Sequence, residues 1–170
     1  MEPNQSPEPW LRGTLTDIPA VPRAVLHALE LAKEDLNRWC RPLNDAGLNA
    51  RPVGLAPVAF HVRHIARSLD RLLTYAEGSQ LTADQIAKMK SELDASAKHV
   101  ELFEELNSAL QRSAQRIRAF DVARLGDLRE VGQKKLPTTL GGLLVHVADH
   151  TQRHVGQAIT TSKIVQAQRS

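Results

Sequence analysis

Apolar residues recur three and four positions apart along nearly the whole chain, and strict apolar–polar alternation is scarce, so the pattern predicts helix throughout. A first helix is expected from near Pro22, which suits an opening turn. It runs through Val25, Leu26, Leu29, Ala32, Leu36 and Trp39 and stops before Pro42. The stretch from Leu43 to Ala56 carries Gly47, Asn49, Pro52 and Gly54 and reads as a connector. Pro57 opens a second helix with the stripe Val58, Val62, Ile65, Leu69, Leu72, Leu73 and Ala76, closed by Gly78 as a C-terminal cap. Thr82 then begins a short polar segment, Ala83 to Leu93, with the Thr-Ala-Asp-Gln order of a capping box. A third long helix is expected from about Asp94 to Phe120, through Val100, Phe103, Leu106, Leu110 and Ile117, with a charged outer face. Asp121 to Pro137 is a second long connector, too polar and too rich in Gly for regular core structure. Thr138 or Thr139 caps a last helix carrying Leu140, Leu143, Leu144, Val147, Val155, Ala158 and Ile159. Four long helices and two long connectors predict an all-α four-helix bundle with long crossover connections.

The chain has 170 residues, the size of one domain spanning 1–170, with 1–18 expected as an extended N-terminal segment. Hydrophobic residues at 42% and charged residues at 24% exclude a disordered or repetitive class. The net charge of +3 raises the question of nucleic acid. Against it, Arg112, Arg116, Arg118, Lys134 and Lys135 are offset by Glu101, Glu104 and Glu105, and few aromatic rings are available for base stacking. A single cysteine, Cys40, cannot form an intramolecular disulfide and reads as a small buried hydrophobe beside Trp39. No apolar run reaches the length of a membrane span, and Met1 to Trp10 carries Pro3, Pro7 and Pro9 where a signal peptide would have an apolar core. A cytoplasmic location without membrane contact is the expectation.

Seven histidines stand against three Phe, two Trp and one Tyr, which directs attention to metal or proton chemistry. Five of them, His61, His64, His146, His150 and His154, fall on the second and last predicted helices, while His27 and His99 are isolated and read as ordinary surface or core residues. At about 100° per residue, His146, His150 and His154 form a ladder along one side of the last helix. Relative to the apolar stripe they lie at about 120°, 80° and 40°, so His150 and His154 occupy its inner edge. Two imidazoles four residues apart on a helix reach one ion, but a tight site needs a third ligand from another helix. The second helix offers two. Periodicity mildly prefers His61, which sits nearer its stripe, whereas a position at the core edge, open to substrate, favours His64.

The segments His61-Val-Arg-His64-Ile-Ala-Arg-Ser-Leu-Asp70, continued by Leu72, Leu73 and Tyr75, and His146-Val-Ala-Asp-His150-Thr-Gln-Arg-His154-Val-Gly156-Gln157 resemble the two hallmark stretches of the DinB/YfiT-like superfamily. The Leu-Pro-Thr-Thr entry to the last helix extends the likeness, which covers most of the chain. The resemblance implies a four-helix bundle, commonly a homodimer, whose metal is held by His64, His150 and His154. Tyr75 and Gln157, placed nearer the ligand side of their helices, are candidates for polar groups facing substrate, and by the resemblance His61 and His146 become neighbours that orient ligands or substrate. The resemblance also implies a small-molecule substrate and, in the thiol-dependent branch of the family, a low-molecular-weight thiol as cosubstrate.

Three neutral imidazoles leave a coordination position open, the mark of a catalytic site. Zinc is the first expectation and nickel the second, since imidazole ligation discriminates weakly among late divalent metals. The expected activity is thiol S-transferase or hydrolase-type chemistry; the rival expectation is a non-catalytic metal-binding dimeric helical bundle. No unambiguous general base accompanies the ligands, because Asp149 lies nearly opposite the stripe.

Overall fold

The computed structural model describes residues 6–94 and 96–168; the first five residues of the expected N-terminal segment lie outside the described residues. Among the described residues six α-helices form, α1 (Ala20–Trp39), α2 (Asp45–Asn49), α3 (Val58–Ala76), α4 (Ala83–Lys90), α5 (His99–Arg118) and α6 (Leu140–Ala167), with a hairpin of β1 (Leu128–Val131) and β2 (Leu136–Thr139). Among the described residues, no helix is long and apolar enough to cross a membrane.

The four long helices are α1, α3, α5 and α6. α3 packs between α5 and α6, and α1 lies against α6 and, less closely, α5, so that α1 and α3 are diagonal, as are α5 and α6. The two long connectors cross those diagonals, whereas α4 joins the neighbours α3 and α5. This is the expected all-α bundle with crossovers. Its core is aliphatic: Leu36, Leu69, Leu73, Ile117 and Leu144 are fully buried, and Phe103 is the aromatic ring among the largest fully buried side chains. Cys40 is buried as expected, and burial, with a smaller contribution from Asp35, pushes its thiol up to about 12, which makes it inert as a nucleophile.

Local chemistry sets most helix ends. Gly78 adopts φ +88° just beyond α3, with its N–H bonded to the Tyr75 carbonyl at 2.9 Å and that of Ser79 to Thr74 at 3.0 Å, a Schellman closure. Thr82 and Gln85 make both bonds of the predicted capping box. α5 departs from expectation by starting at His99 instead of near Asp94. Its first-turn donor is satisfied from a distance, since the His99 N–H donates to Asp45 Oδ1 at 2.8 Å, while Asn49 exchanges two hydrogen bonds with Ala97. Those contacts hold 97–99 to the α2 connector, a tertiary constraint that periodicity does not carry. His27 and His99 are satisfied structural residues, paired with Thr14 Oγ1 and the Arg41 carbonyl.

The Asp121–Pro137 connector is more regular than expected. Leu128 pairs with Thr139 and Val131 with Leu136 in an antiparallel hairpin, whose Leu128 and Leu136 are exposed. Four-residue strands present too little alternation to register, and the hairpin is anchored by single residues: Arg129 Nε donates to the Ala76 carbonyl at 2.6 Å, at the end of α3. β2 leads directly into α6, capped by the Thr139 hydroxyl, which accepts from the Gly142 N–H at 3.0 Å.

Two glycines in α6 should respond oppositely to alanine. A Cβ on Gly142 would meet Thr138 Oγ1 at 2.9 Å and the capping Thr139 Oγ1 at 3.3 Å, whereas one on Gly156 meets nothing within 4 Å. Gly142→Ala is expected to cost about 1 kcal/mol through the disturbed cap, and Gly156→Ala to gain about 0.5–1 kcal/mol from helix propensity. Urea unfolding of the two variants checks both signs.

Candidate metal centre

The facing sides of α3 and α6 bring the two histidine groups together. Among the described residues, His64, His150 and His154 form the one group of His, Cys, Asp or Glu side chains whose prospective ligand atoms all lie within 4.8 Å of one another. His64 Nε2 stands 3.3 Å from His150 Nε2, and the His64 ring lies 4.2 Å from that of His154 between centroids. On α6 the two histidines are one turn apart, with Val147, Thr151 and Val155 buried beside them, which sets both imidazoles at the edge of the core. The Phe60 ring stacks on His64 at 5.4 Å and meets His61 edge-on at 5.1 Å, covering that side of the cluster.

Behind His64 stands a buried carboxylate. Glu92, 4% exposed, accepts from His64 Nδ1 at 2.6 Å and is ion-paired through its other oxygen with Arg71, itself 8% exposed. Burial pushes the Glu92 carboxyl up, but the hydrogen bonds from His64 and Arg71 outweigh it and hold it below the ordinary carboxylate range. Pairing Nδ1 with Glu92 holds the His64 ring with Nε2 aimed at the cluster, the orientation that a carboxylate behind a ligating imidazole imposes. Two arginines of α3 deliver Glu92: Arg63 donates to the carbonyls of Glu92 and Asp94, and Arg67 to the Lys88 carbonyl and Ser91 Oγ, pinning the turn after α4.

The donor set fits a divalent ion. Tetrahedral zinc with Zn–N near 2.0–2.1 Å places adjacent ligand nitrogens roughly 3.3 Å apart, the separation of His64 and His150 Nε2. The buried His150 Nδ1 has no hydrogen-bond partner among the described residues, an unsatisfied position separate from the Nε2 that faces His64. Burial, with smaller electrostatic contributions from neighbouring His and Arg side chains, lowers His61 and His150 to about 4 and His154 to about 3, so all three are neutral near pH 7 and each keeps one ring nitrogen without a proton. These folded values lie below the ordinary 6.5, so the unfolded chain binds more protons between about 4 and 6.5. The metal-free protein should therefore lose stability as pH falls through that window. Thermal melts from pH 7 to pH 4 check this, and a flat Tm would contradict it.

The remaining expected site residues separate. His61 is 5% exposed and touches the cluster, with Nδ1 3.1 Å from His154 Nδ1. His146 turns away: its ring is 5.3 Å from that of His150, while its Nδ1 faces Asp149 at 3.5 Å. Tyr75 is buried in the core, about three helical turns beyond His64. Gln157 is exposed and lines an open cleft with His61. Glu92, Arg71 and Phe60 were not anticipated. Arg71 could have been found, being seven residues from His64 and so on the same face of α3; Glu92 carries no local signal.

Helix order, crossovers and the pairing of α3 with α6 can be set beside known proteins. The chain is similar to the crystal structure of a conserved protein from Enterococcus faecalis, at 20% identity and a TM-score of 0.72, over 88% of this chain and 99% of that one. At that identity the likeness establishes the fold. No curated protein matches the chain. The family model of the DinB superfamily matches residues 28–158, from within α1 well into α6, and so takes in both histidine-bearing helices. By that match the chain belongs to the DinB superfamily.

Proposed function

We propose that this protein is a metal-dependent enzyme whose His64, His150 and His154 hold a divalent ion, zinc first and nickel second, for thiol S-transferase or hydrolase-type chemistry on a small molecule. The observation that carries this reading is the convergence of three imidazoles from two helices with no fourth His, Cys, Asp or Glu joining them among the described residues, which leaves room for an exchangeable ligand. What a divalent ion supplies there is acidity: a water or thiol within reach ionises near neutral pH.

The chain's own residues do the rest. Glu92 accepts the hydrogen bond of His64 Nδ1 and orients Nε2 toward the cluster, and Arg71 keeps Glu92 ionised and in place. Phe60 lies against His61, His64 and His154 and excludes water from one side. A low-molecular-weight thiol cosubstrate and a homodimeric assembly are part of this proposal and rest on the family resemblance.

The test is turnover. Zinc- or nickel-loaded protein is assayed against small thiols paired with electrophiles and against simple esters and amides. Turnover that chelator removes and metal restores supports the proposal. Tightly held metal without turnover in either panel would favour a non-catalytic metal-binding bundle.

A further inference from the structure

We propose that the cleft beside His61 is the binding site for a small monocarboxylate with a short apolar body, its anionic group held by Arg153. The cleft has a volume of about 520 Å³, and its walls include Leu55 from the connector before α3, His61 from α3, and Arg153, Gly156, Gln157 and Thr161 from α6. That volume suits a small organic molecule. Its position gives it a use, because His61 separates the cleft from the metal cluster by the thickness of one imidazole, with His61 Nδ1 3.1 Å from His154 Nδ1. A molecule seated here rests on the proposed metal centre for its chemistry, though not for its binding.

Three polar groups in the wall lack protein partners. Among the described residues, no hydrogen bond engages His61 Nε2, the Gln157 side chain or the Thr161 hydroxyl, although Thr161 is only 3% exposed. Lining the cleft without protein partners, these donors and acceptors are available to a ligand. Arg153 is the one formally charged residue of the lining and makes one hydrogen bond, from Nη2 to Asp149 at 2.9 Å. The remaining N–H groups of its fork suit a planar carboxylate. A single guanidinium, its charge already offset in part by Asp149, suits at most a monoanion and disfavours a dianion such as a phosphate monoester. Leu55 and Ala56 supply the apolar wall. Gly156 supplies space, since a Cβ there would touch nothing within 4 Å.

Benzoate, with benzamide as its neutral isostere, probes this site. Each is titrated into the full-length protein with and without zinc, following the backbone amide signals of Leu55, Gly156 and Gln157 by NMR. The expected result is saturable benzoate binding at those residues in both metal states, with benzamide and the Arg153→Gln variant each weaker by about tenfold. Gly156→Leu, whose side chain extends into the cleft, should abolish binding, whereas Gly156→Ala, whose Cβ meets nothing within 4 Å, should largely preserve it. Metal content is measured on every variant, so loss of benzoate binding with zinc retained separates the cleft from the metal centre, and absence of zinc in the wild type counts against the proposed function alone. Equal binding of benzoate and benzamide, unchanged benzoate binding in Gly156→Leu, binding that requires zinc, or no binding at these residues would each overturn the proposal.

Discussion

Glu92→Ala is expected to destabilise the protein by about 3–5 kcal/mol, because removing one member of a buried ion pair strands the other. Arg71 would keep its charge at 8% exposure with no carboxylate beside it, and the His64 Nδ1–H would lose its acceptor. The same substitution should weaken metal binding by about 10–100-fold, the usual effect of losing the group behind a ligating imidazole. Glu92→Gln separates the two consequences. Its amide oxygen still accepts from His64 and its volume is unchanged, so it should retain more metal affinity than alanine while leaving Arg71 unpaired. Urea denaturation reads the stability and competition with a chromophoric chelator reads the affinity. A loss below about 1 kcal/mol in Glu92→Ala, the scale of an exposed ion pair, would show that the His64–Glu92–Arg71 chain is not held as described.

His150→Ala and His154→Ala are expected to lose essentially all tightly held metal when the protein is prepared without chelator or a metal-affinity tag. Each leaves two imidazoles, one from α3 and one from α6, too few for a tight site. The loss should also appear as stability. A metal present at a hundredfold excess over its Kd stabilises the wild type by about 2.7 kcal/mol, and that increment should vanish in both variants. His146→Ala is the control, because His146 faces Asp149 and not the cluster, and it should keep both the metal and the increment. Metal content unchanged in His150→Ala and His154→Ala would refute the ligand set.

The periodic parts of this molecule were legible in its sequence, and the parts made by tertiary contact were not. The stripe from Val58 to Ala76 with Gly78 beyond it encodes α3 and its end, since one face packs in the core and only glycine adopts the closing backbone without strain. The i, i+4 spacing of His150 and His154 sets both imidazoles on one side of α6 through helix geometry alone. The choice between His61 and His64 lay beyond periodicity. It depends on how α3 rotates against α6, and in the folded chain both rings come near His154, with His64 in the group of three. Glu92 was invisible for a related reason: it sits in a polar turn whose position is set by Arg63 and Arg67 reaching across from α3. The late start of α5 and the β1–β2 hairpin likewise follow from Asp45, Asn49 and Arg129 bonding to distant backbone, which no local pattern records.

His64, His150 and His154 are proposed to build an open metal centre. Diffraction from zinc-loaded crystals on either side of the zinc absorption edge tests it most directly. One strong anomalous peak per chain is expected between α3 and α6, within about 2.0–2.1 Å of one nitrogen from each of the three imidazoles and with its remaining position filled by a non-protein ligand. A peak ligated by other residues, a peak closed by a fourth protein ligand, or no peak between these helices would contradict it.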